Sequence, residues 1–599
     1  MHLVVSNDKR TWQTDSEILF AGDWCIKKNL INIDYKYKIF ESDTKIEKNS
    51  NYFRKIDKNW ETIYTLKNLI FDQLCEHLNN HFKKKHSSRF YKIIIGHWFE
   101  YAIELIFSKI NLLDSIVKNH DISSFNYINS KDYTLAVFSN HQFMNAHFDD
   151  IWNQFLFAEI LKIKGLSNIQ VKKINDIQTS KFEKPQKEKR SLIRYLYGLL
   201  NHFFDNISKS TDAFIISSYL PLKYEILLKL SLGQLPFISK KIIFHSNVSV
   251  NVDLRNELTK SFLTERDKQD SNIFIIKSLL FKLFPVTYLE AFDELENKVQ
   301  SISWPKKPKF IFTSNSFFDD DVFKLWVAIK VKEGFRYFVG QHGPYWQLKN
   351  VMNGRSYSDS EELTSDKFIT LGRNNKYNNI SGLYFNLPKS NIIKHNPRGK
   401  LLVINPPVAH FGYRRAWSDV LWADLRSYRS WEKKIKKFIG ELSNDISQNL
   451  FIKLYSNIPQ LEEFNVSLKE TFKQKQLISN KPTTFNLYKK SRLVIICYDS
   501  RAIIETMSQN IPTVILMEDF MIEQIRTENK KYYSRLRDTG ILFSNYDSAV
   551  NFVNENWDNI DKWWNSDKVQ ESRIYFIDKF SRTKKNPINF LKKLLIANS

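Results

Sequence analysis

The sequence contains no GxxxxGK[ST] phosphate loop, no GxSxG and no HExxH, so P-loop phosphoryl transfer, elbow-type serine hydrolysis and zinc proteolysis lose their usual support. Cysteine is scarce. Cys25, Cys75 and Cys497 stand far apart with no CxxC among them, which supports neither a zinc cluster nor a disulfide framework and fits a reducing cytoplasm. No window of about 18 apolar residues runs uncharged, as a membrane span would require. The start, MHLVVSNDKRTWQTD, has no basic segment leading into a long apolar one, so no secretory leader is expected. The expected location is cytoplasmic, with any membrane contact peripheral to the inner membrane.

Glycine and proline are also few, 15 each, while Lys, Asn and Ile abound. Lys and Arg total 89 against 65 Asp and Glu, a formal charge of +24. Nucleic acid, lipid headgroups or a nucleotide-sugar would suit such an excess; a strongly AT-biased coding sequence would produce it as well. No RRM-like or KH-like signature occurs and the basic residues are dispersed, so nucleic acid is not an expected partner. With 42% hydrophobic and 15% aromatic residues in 599, the chain is a folding one, long enough for at least two domains.

What the sequence does have is alternation. Strand-length apolar runs alternate with helical-period stretches, the mark of βα units and parallel sheets. EILFAGDWC (17–25), YTLAVF (133–138), DAFIISSYL (212–220), KKIIFHSN (240–247), KFIFTSN (309–315) and RYFVGQ (336–341) read as strands; 61–82 and 319–334 read as amphipathic helices. After a polar Pro/Gly-containing joint at 390–399, a second series runs through KLLVINP (400–406), LFIKLYS (450–456), RLVIICYDS (492–500), IPTVILME (511–518) and GILF (540–543). The fold class expected is α/β: two Rossmann-like lobes, 1–390 and 400–575, with helical insertions and a helical tail whose end, 576–599, is basic. In such sheets ligands bind beyond the carboxyl ends of the strands.

Four strand ends carry candidate chemistry. In GDWC, Asp23 follows Gly22 at a strand end, as a general base or as a turn-capping carboxylate. In GQHGPYW, Gly340 and Gly343 bracket Gln341 and His342, so that backbone can approach a ligand and the imidazole can donate to an anionic or sugar oxygen. In FIKLYS, Lys453 and Tyr455 share one strand face, suited to phosphate and sugar or simply to solvent. In CYDSRAIIETMSQNIPT, Ser500 caps a helix beginning at Arg501, whose N-terminal amides form an anion site. Glu505, one turn in, is placed either to reach ribose hydroxyls or to pair with Arg501. The triple carboxylate at 319–321 opens a helix and reads as dipole-favoured capping, not a metal site. No metal and no cofactor are expected.

Taken together, ILFAGDWC, LNNHFKKKHSSRFYKIIIGHWFE, TSNSFFDDDVFKLWVA, GQHGPYW, SDKFITLG, RLVIICYDSRAIIETMSQNIPT and DNIDKWWNSDKVQESRIYFIDKF resemble the transferases encoded in bacterial O-antigen and surface-polysaccharide loci. The resemblance runs over nearly the whole chain. It implies a metal-independent GT-B glycosyltransferase, with the donor nucleotide in the C-terminal lobe and a glycan or lipid-linked glycan acceptor facing the N-terminal lobe. By analogy with transferases of acidic sugars, it implies a CMP-activated nonulosonic acid or Kdo as donor. Asp23 stands where that family usually has glutamate; Gln341, His342 and Gly343 match its Gln-His-Gly; Glu505, Asn510, Pro512 and Thr513 also match. Pro344, Tyr345 and Trp346 depart from its glycine-rich continuation, and Arg501 and Ala502 replace small hydroxyl residues.

On this reading Asp23 and His342 are catalytic, and Gln341, Gly343, Lys453, Tyr455, Ser500, Arg501 and Glu505 bind the donor. Inverting transfer would make Asp23 the base, and retaining transfer would leave it to orient the acceptor. A polyol-phosphate transferase of the same two-lobed fold is a second reading, and a non-enzymatic basic RNA-binding or envelope-assembly protein a third.

Overall fold

The computed structural model describes residues 1–22, 25–26, 36–40, 50–129, 133–147, 149–166, 169–175, 182, 209–236, 239–342, 359–373, 378–385, 395–405, 425–454, 468–469, 471–472, 476–478, 482–498, 500–519, 522, 525 and 527–599. Among these the strands form three sheets, every ladder parallel. The first sheet contains β1 (His2–Val4), β2 (Ile18–Phe20), β3 (Tyr37–Ile39), β4 (Ser124–Asn129) and β5 (Gln170–Asn175), in the order β3-β2-β1-β4-β5. The second contains β6 (Phe214–Ile216), β7 (Ile311–Thr313), β8 (Tyr337–Gly340), β9 (Lys367–Thr370) and β10 (Asn379–Ser381), in the order β10-β9-β8-β7-β6. The third contains β11 (Lys400–Ile404), β12 (Leu450–Lys453), β13 (Leu477–Ile478), β14 (Ser491–Ile496), β15 (Thr513–Leu516) and β16 (Leu542–Phe543), in the order β13-β12-β11-β14-β15-β16.

The α/β class expected from the alternation is thus the one adopted, with the strands before residue 390 divided between two sheets. The third sheet shows why the alternation was readable. LLVI of β11 and LVII of β14 are buried on both faces, and such strands read as continuous apolar runs. Their side chains alternate between two cores. Leu402, Ile404, Val494 and Ile496 face one, Leu401, Val403, Leu493 and Ile495 the other.

Helices used below are α1 (Ser50–Phe82), α2 (Ser88–Asn119), α3 (Leu222–Ser231), α4 (Asp321–Lys332), α5 (Asp359–Thr364), α6 (Arg501–Ser508), α7 (Asp567–Phe580) and α8 (Pro587–Ala597). α1 and α2 pack together, and α2 also packs on α4 and α5. A single apolar core therefore continues from the first sheet, through these helices, to one face of the second sheet. The other face of the second sheet is covered by Leu591 and Leu595 of α8 and touched by Ile504 of α6.

Two expected strands do not form. Residues 133–138 contribute only an isolated bridge, Val137 with Pro285. Their apolar character comes from burial as irregular chain, with the carbonyls of Val137 and Phe138 accepting from the amides of Val286 and Thr287 at 2.8 and 2.9 Å. Residues 240–247 also lack a strand; Ser239 alone bridges to Ile216, and with Ile243 exposed the segment passes the sheet edge without joining it. Conversely β1, central in the first sheet, is only three residues long, too short for periodicity to register.

The end of α7 seats on the second sheet through backbone. Arg582 N donates to Leu371 O at 2.8 Å, Tyr384 N to Arg582 O at 2.9 Å and Arg373 N to Asp578 O at 3.2 Å. Gly372 makes this approach possible, because a Cβ there would lie 1.8 Å from the carbonyl oxygen of Lys579.

Candidate active site

The carboxyl edge of the third sheet carries the helix start foreseen in the sequence. β14 ends at Ile496, and Ser500 caps α6, its hydroxyl accepting from Ala502 N at 3.1 Å. Arg501 is the first helical residue. Its Nε lies 3.4 Å from Glu505 Oε1, so the intrahelical pair forms. The carboxylate is engaged further: Tyr488 Oη donates to Glu505 Oε2 at 3.0 Å and Tyr384 Oη reaches Oε1 at 3.4 Å. Burial raises the Glu505 pKa, opposed by Arg501 and the two phenols. Arg501 Nε also donates to Tyr384 Oη at 3.0 Å. Asn510, past the end of α6, adopts a left-handed φ of 57° and accepts from Trp564 Nε1 at 3.0 Å. Its place in the motif is thus a helix-stop role.

The carboxyl edge of the second sheet meets this helix start. After β6, Ser217 and Tyr219 both hold left-handed backbone, φ 47° and 60°, a strained turn for residues with side chains. The turn is held by Ser314 N on Ser217 O and Ser314 Oγ on Ser218 O, both 3.0 Å. It sets the Tyr219 ring 5.3 Å from the Arg501 guanidinium, with the Tyr384 ring 5.8 Å away. Two aromatic faces thus flank one cation, which attracts both ring quadrupoles.

His342 follows β8. Its ring centroid lies 6.2 Å from that of Tyr219 and 5.9 Å from that of Phe317. Its Nδ1 is 3.6 Å from Oε2 of Glu361, a buried carboxylate on α5. The separation is that of an ion pair, longer than a hydrogen bond. His342, Tyr219, Arg501, Tyr384 and Glu505 therefore form one run of contacts from the second sheet to the third. An imidazole beside a carboxylate can take up or donate a proton, and a guanidinium at a helix start can hold a phosphate.

The remaining candidates sort as follows. Gln341 is buried and serves the sheet: its amide donates to Ile369 O at 2.8 Å and its side-chain oxygen accepts from Leu371 N at 3.0 Å. Gly340 likewise serves packing, since a Cβ there would lie 2.5 Å from Ser314 Oγ and 2.8 Å from Phe385 Cε2. Lys453 ends β12, and burial lowers its pKa. Asp23, Gly343 and Tyr455 lie outside the described residues. In the triple carboxylate, Asp320 caps α4 by accepting from Phe323 N at 3.0 Å. Asp319 pairs with Lys241 at 2.9 Å, and Asp321 accepts from Tyr288 Oη at 2.6 Å. Among the described residues no three His, Cys, Asp or Glu side chains cluster as metal ligands.

Sequence reasoning missed Tyr219, Tyr384, Tyr488 and Glu361. Tyr219 lay in a segment already read as a strand, and the strand-end rule could have found it. Glu361 and Tyr384 are brought in by tertiary contact and have no local signal. Asn405 was also missed: it follows β11, next to β14 at the point where the strand order reverses, and both side-chain amide atoms are buried without a hydrogen-bond partner among the described residues.

Comparison with known proteins gives a family match over residues 1–595, to the LIC12162 family transferases. No curated relative matches the sequence. Three solved structures are similar at low identity. The crystal structure of TarM has TM-score 0.30 and 12% identity, covering 48% of this chain and 54% of that one, about half its length. A Listeria monocytogenes protein assigned as a UDP-N-acetylglucosamine 2-epimerase has TM-score 0.34 and 10% identity, covering 66% and 98%. MurG of Acinetobacter baumannii has TM-score 0.30 and 7% identity, covering 78% and 98%. None of these three likenesses carries an argument about function. The family match spans almost the entire sequence, and the chain belongs to the LIC12162 family transferases.

Proposed function

We propose that the protein is a GT-B-type glycosyltransferase, in which 1–390 forms the acceptor-side lobe, 400–575 the donor lobe and 576–599 a basic helical tail. The observation that carries this reading is the meeting of two strand-end edges at Arg501, with His342 on one side and the α6 start on the other. In open parallel sheets such edges are where ligands bind.

The donor is a nucleotide-sugar, with a CMP-linked acidic sugar favoured by the resemblance drawn from the sequence; the acceptor is a hydroxyl of a surface glycan or lipid-linked glycan. The bond between the anomeric carbon and the phosphate oxygen breaks, and the phosphate leaves with the electron pair. The acceptor oxygen forms the new bond to the anomeric carbon. In an inverting reaction its proton passes to Asp23. The α6 amides, Ser500, Arg501 and Lys453 hold the phosphate, and Gly343 and Tyr455 complete the donor site. His342 donates a hydrogen bond to the sugar carboxylate or the departing phosphate, oriented by Glu361. Glu505 and Tyr384 fix Arg501, and Gln341 fixes the strand from which His342 projects.

A thermal-shift panel of CMP, CDP, UDP and GDP compounds tests the donor class, since a ligand that binds only the native state raises apparent stability. One nucleotide should raise the melting temperature of the parent, and Ser500→Ala with Arg501→Ala should abolish that shift. His342→Ala should keep the shift and lose transfer by about 10²–10³. No shift with any nucleotide, or a shift that survives both donor-side substitutions, counts against the reading.

A further inference from the structure

An amphipathic helix of a globular protein buries its apolar stripe and exposes its polar one. α3 buries Leu228 in this way but otherwise departs from the pattern. Glu225 and Lys229 are buried, 3.9 Å apart, with the Ser218 hydroxyl donating to the Glu225 carboxylate. Leu222, Leu227 and Leu230 are exposed, Leu222 by 59% and Leu230 by 51%. With the partly exposed Ile226, residues 222, 226 and 230 form one stripe at helical spacing. Burying an ionic pair while leaving leucines in water is costly on both counts.

Exposed apolar side chains also occur on the segments next to the helix. Leu235 follows it, and Ile596 is added by α8, which packs against α3 and whose Lys592 donates to the Ser231 carbonyl. Those two side chains and the three leucines make up nearly half of the large apolar side chains left exposed among the described residues. Large apolar side chains left exposed together on packed elements mark docking sites.

Charge says what docks. Lys223 lies on α3, and from Ser581 to the end the sequence carries Arg582, Lys584, Lys585, Lys592 and Lys593 without one Asp or Glu. Arg582 and Lys584 stand over the Phe590 ring at 5.9 and 5.2 Å, keeping cations beside apolar surface. Leucines that can enter an acyl boundary, with lysines at headgroup level, match an acidic bilayer.

We propose that the α3 and α8 face docks on a membrane surface rich in anionic phospholipid. Tyr219 leads directly into α3, so the docked surface lies beside the candidate active site. The proposal does not depend on what that site binds.

Flotation of the full chain with vesicles tests it, using phosphatidylglycerol mixed into phosphatidylcholine against phosphatidylcholine alone. The parent should float with the anionic vesicles and be released by salt. Leu222→Ser/Leu227→Ser/Leu230→Ser should lower partitioning at least about tenfold. Lys584→Gln/Lys585→Gln/Lys593→Gln should lower it roughly fivefold per lysine and weaken the salt dependence. Both variants should melt close to the parent, because the three leucines, Lys585 and Lys593 are exposed and Lys584 gives up only its contact with the Phe590 ring. A parent that stays with the soluble fraction, or a leucine variant that floats as the parent does, overturns the proposal. So does light scattering that shows a parent dimer becoming a monomer in the leucine variant, which would assign the face to self-association.

Discussion

The two strand-end edges that meet at Arg501 are built from different materials. The third-sheet side is local. Ser500, Arg501 and Glu505 lie within six consecutive residues, and their capping bond and ion pair follow from helix geometry. The second-sheet side is assembled from distant pieces. Tyr219, Phe317, His342, Glu361 and Tyr384 come from five separate turns or helices and touch only because β6 to β10 are aligned in one sheet. A local site is specified by its own helix and concentrates its contacts on few residues, whereas an assembled one spreads them over each element that positions it.

The sharpest break should come at the local side. Arg501→Ala removes the cation that joins the two edges, and loss of such an oriented donor should lower transfer about 10²–10³-fold. Arg501→Lys should not restore it, because an ammonium cannot reproduce guanidinium geometry against Tyr384 and Glu505. Steady-state kinetics of both variants checks this; parent-like turnover in Arg501→Ala would show that the cation is dispensable, and in Arg501→Lys that its guanidinium geometry is.

Gly372→Ala addresses how the edges are held together. The added Cβ would fall 1.8 Å from the Lys579 carbonyl oxygen, so the backbone of 578–582 must leave the second sheet. The expected cost is on the order of 3 kcal/mol, read as a lowered denaturation midpoint, with faster amide exchange at Arg582 and Tyr384. An unchanged midpoint would mean that this seat is not formed.

Glu361→Gln tests the assembled side. A positioning carboxylate should supply part of the effect of His342, so turnover should fall roughly tenfold while nucleotide affinity holds. Glu361→Asp should recover part of it. If affinity falls and turnover does not, Glu361 acts on the donor and not through the imidazole.

The smallest effect concerns Asp320, at the α4 start beside the second sheet. Burial, with help from Asp319 and Asp321, raises its pKa to about 7. A carboxyl raised above its unfolded value contributes stability that is fully present below about pH 4 and is lost as pH rises toward 7. Asp320→Asn keeps a capping side chain and removes the titration. Its melting temperature should exceed that of the parent by a few degrees at pH 8 and match it near pH 4. Equal offsets at both pH values would place the effect outside this carboxyl.

The same contrast explains what could be read from the sequence. The third sheet was legible because its strands are apolar on both faces and separated by helices, and because Ser500, Arg501 and Glu505 announce their roles by spacing. The first two sheets were harder. β1 is too short to show a period, 133–138 imitates a strand because it is buried, and 240–247 is apolar without gaining a ladder partner. His342 could be singled out from its strand end, but Glu361, whose carboxylate lies beside its Nδ1, and the phenols around Arg501 are supplied by long-range packing that one sequence does not encode locally.

The central claim, that His342 and Arg501 act in one site across two sheets, is tested most directly by a double-mutant cycle on kcat/KM with His342→Ala and Arg501→Ala. Residues acting on the same transition state are non-additive, so the double variant should lose far less than the product of the two single losses. Losses that multiply would show two independent sites and contradict the account.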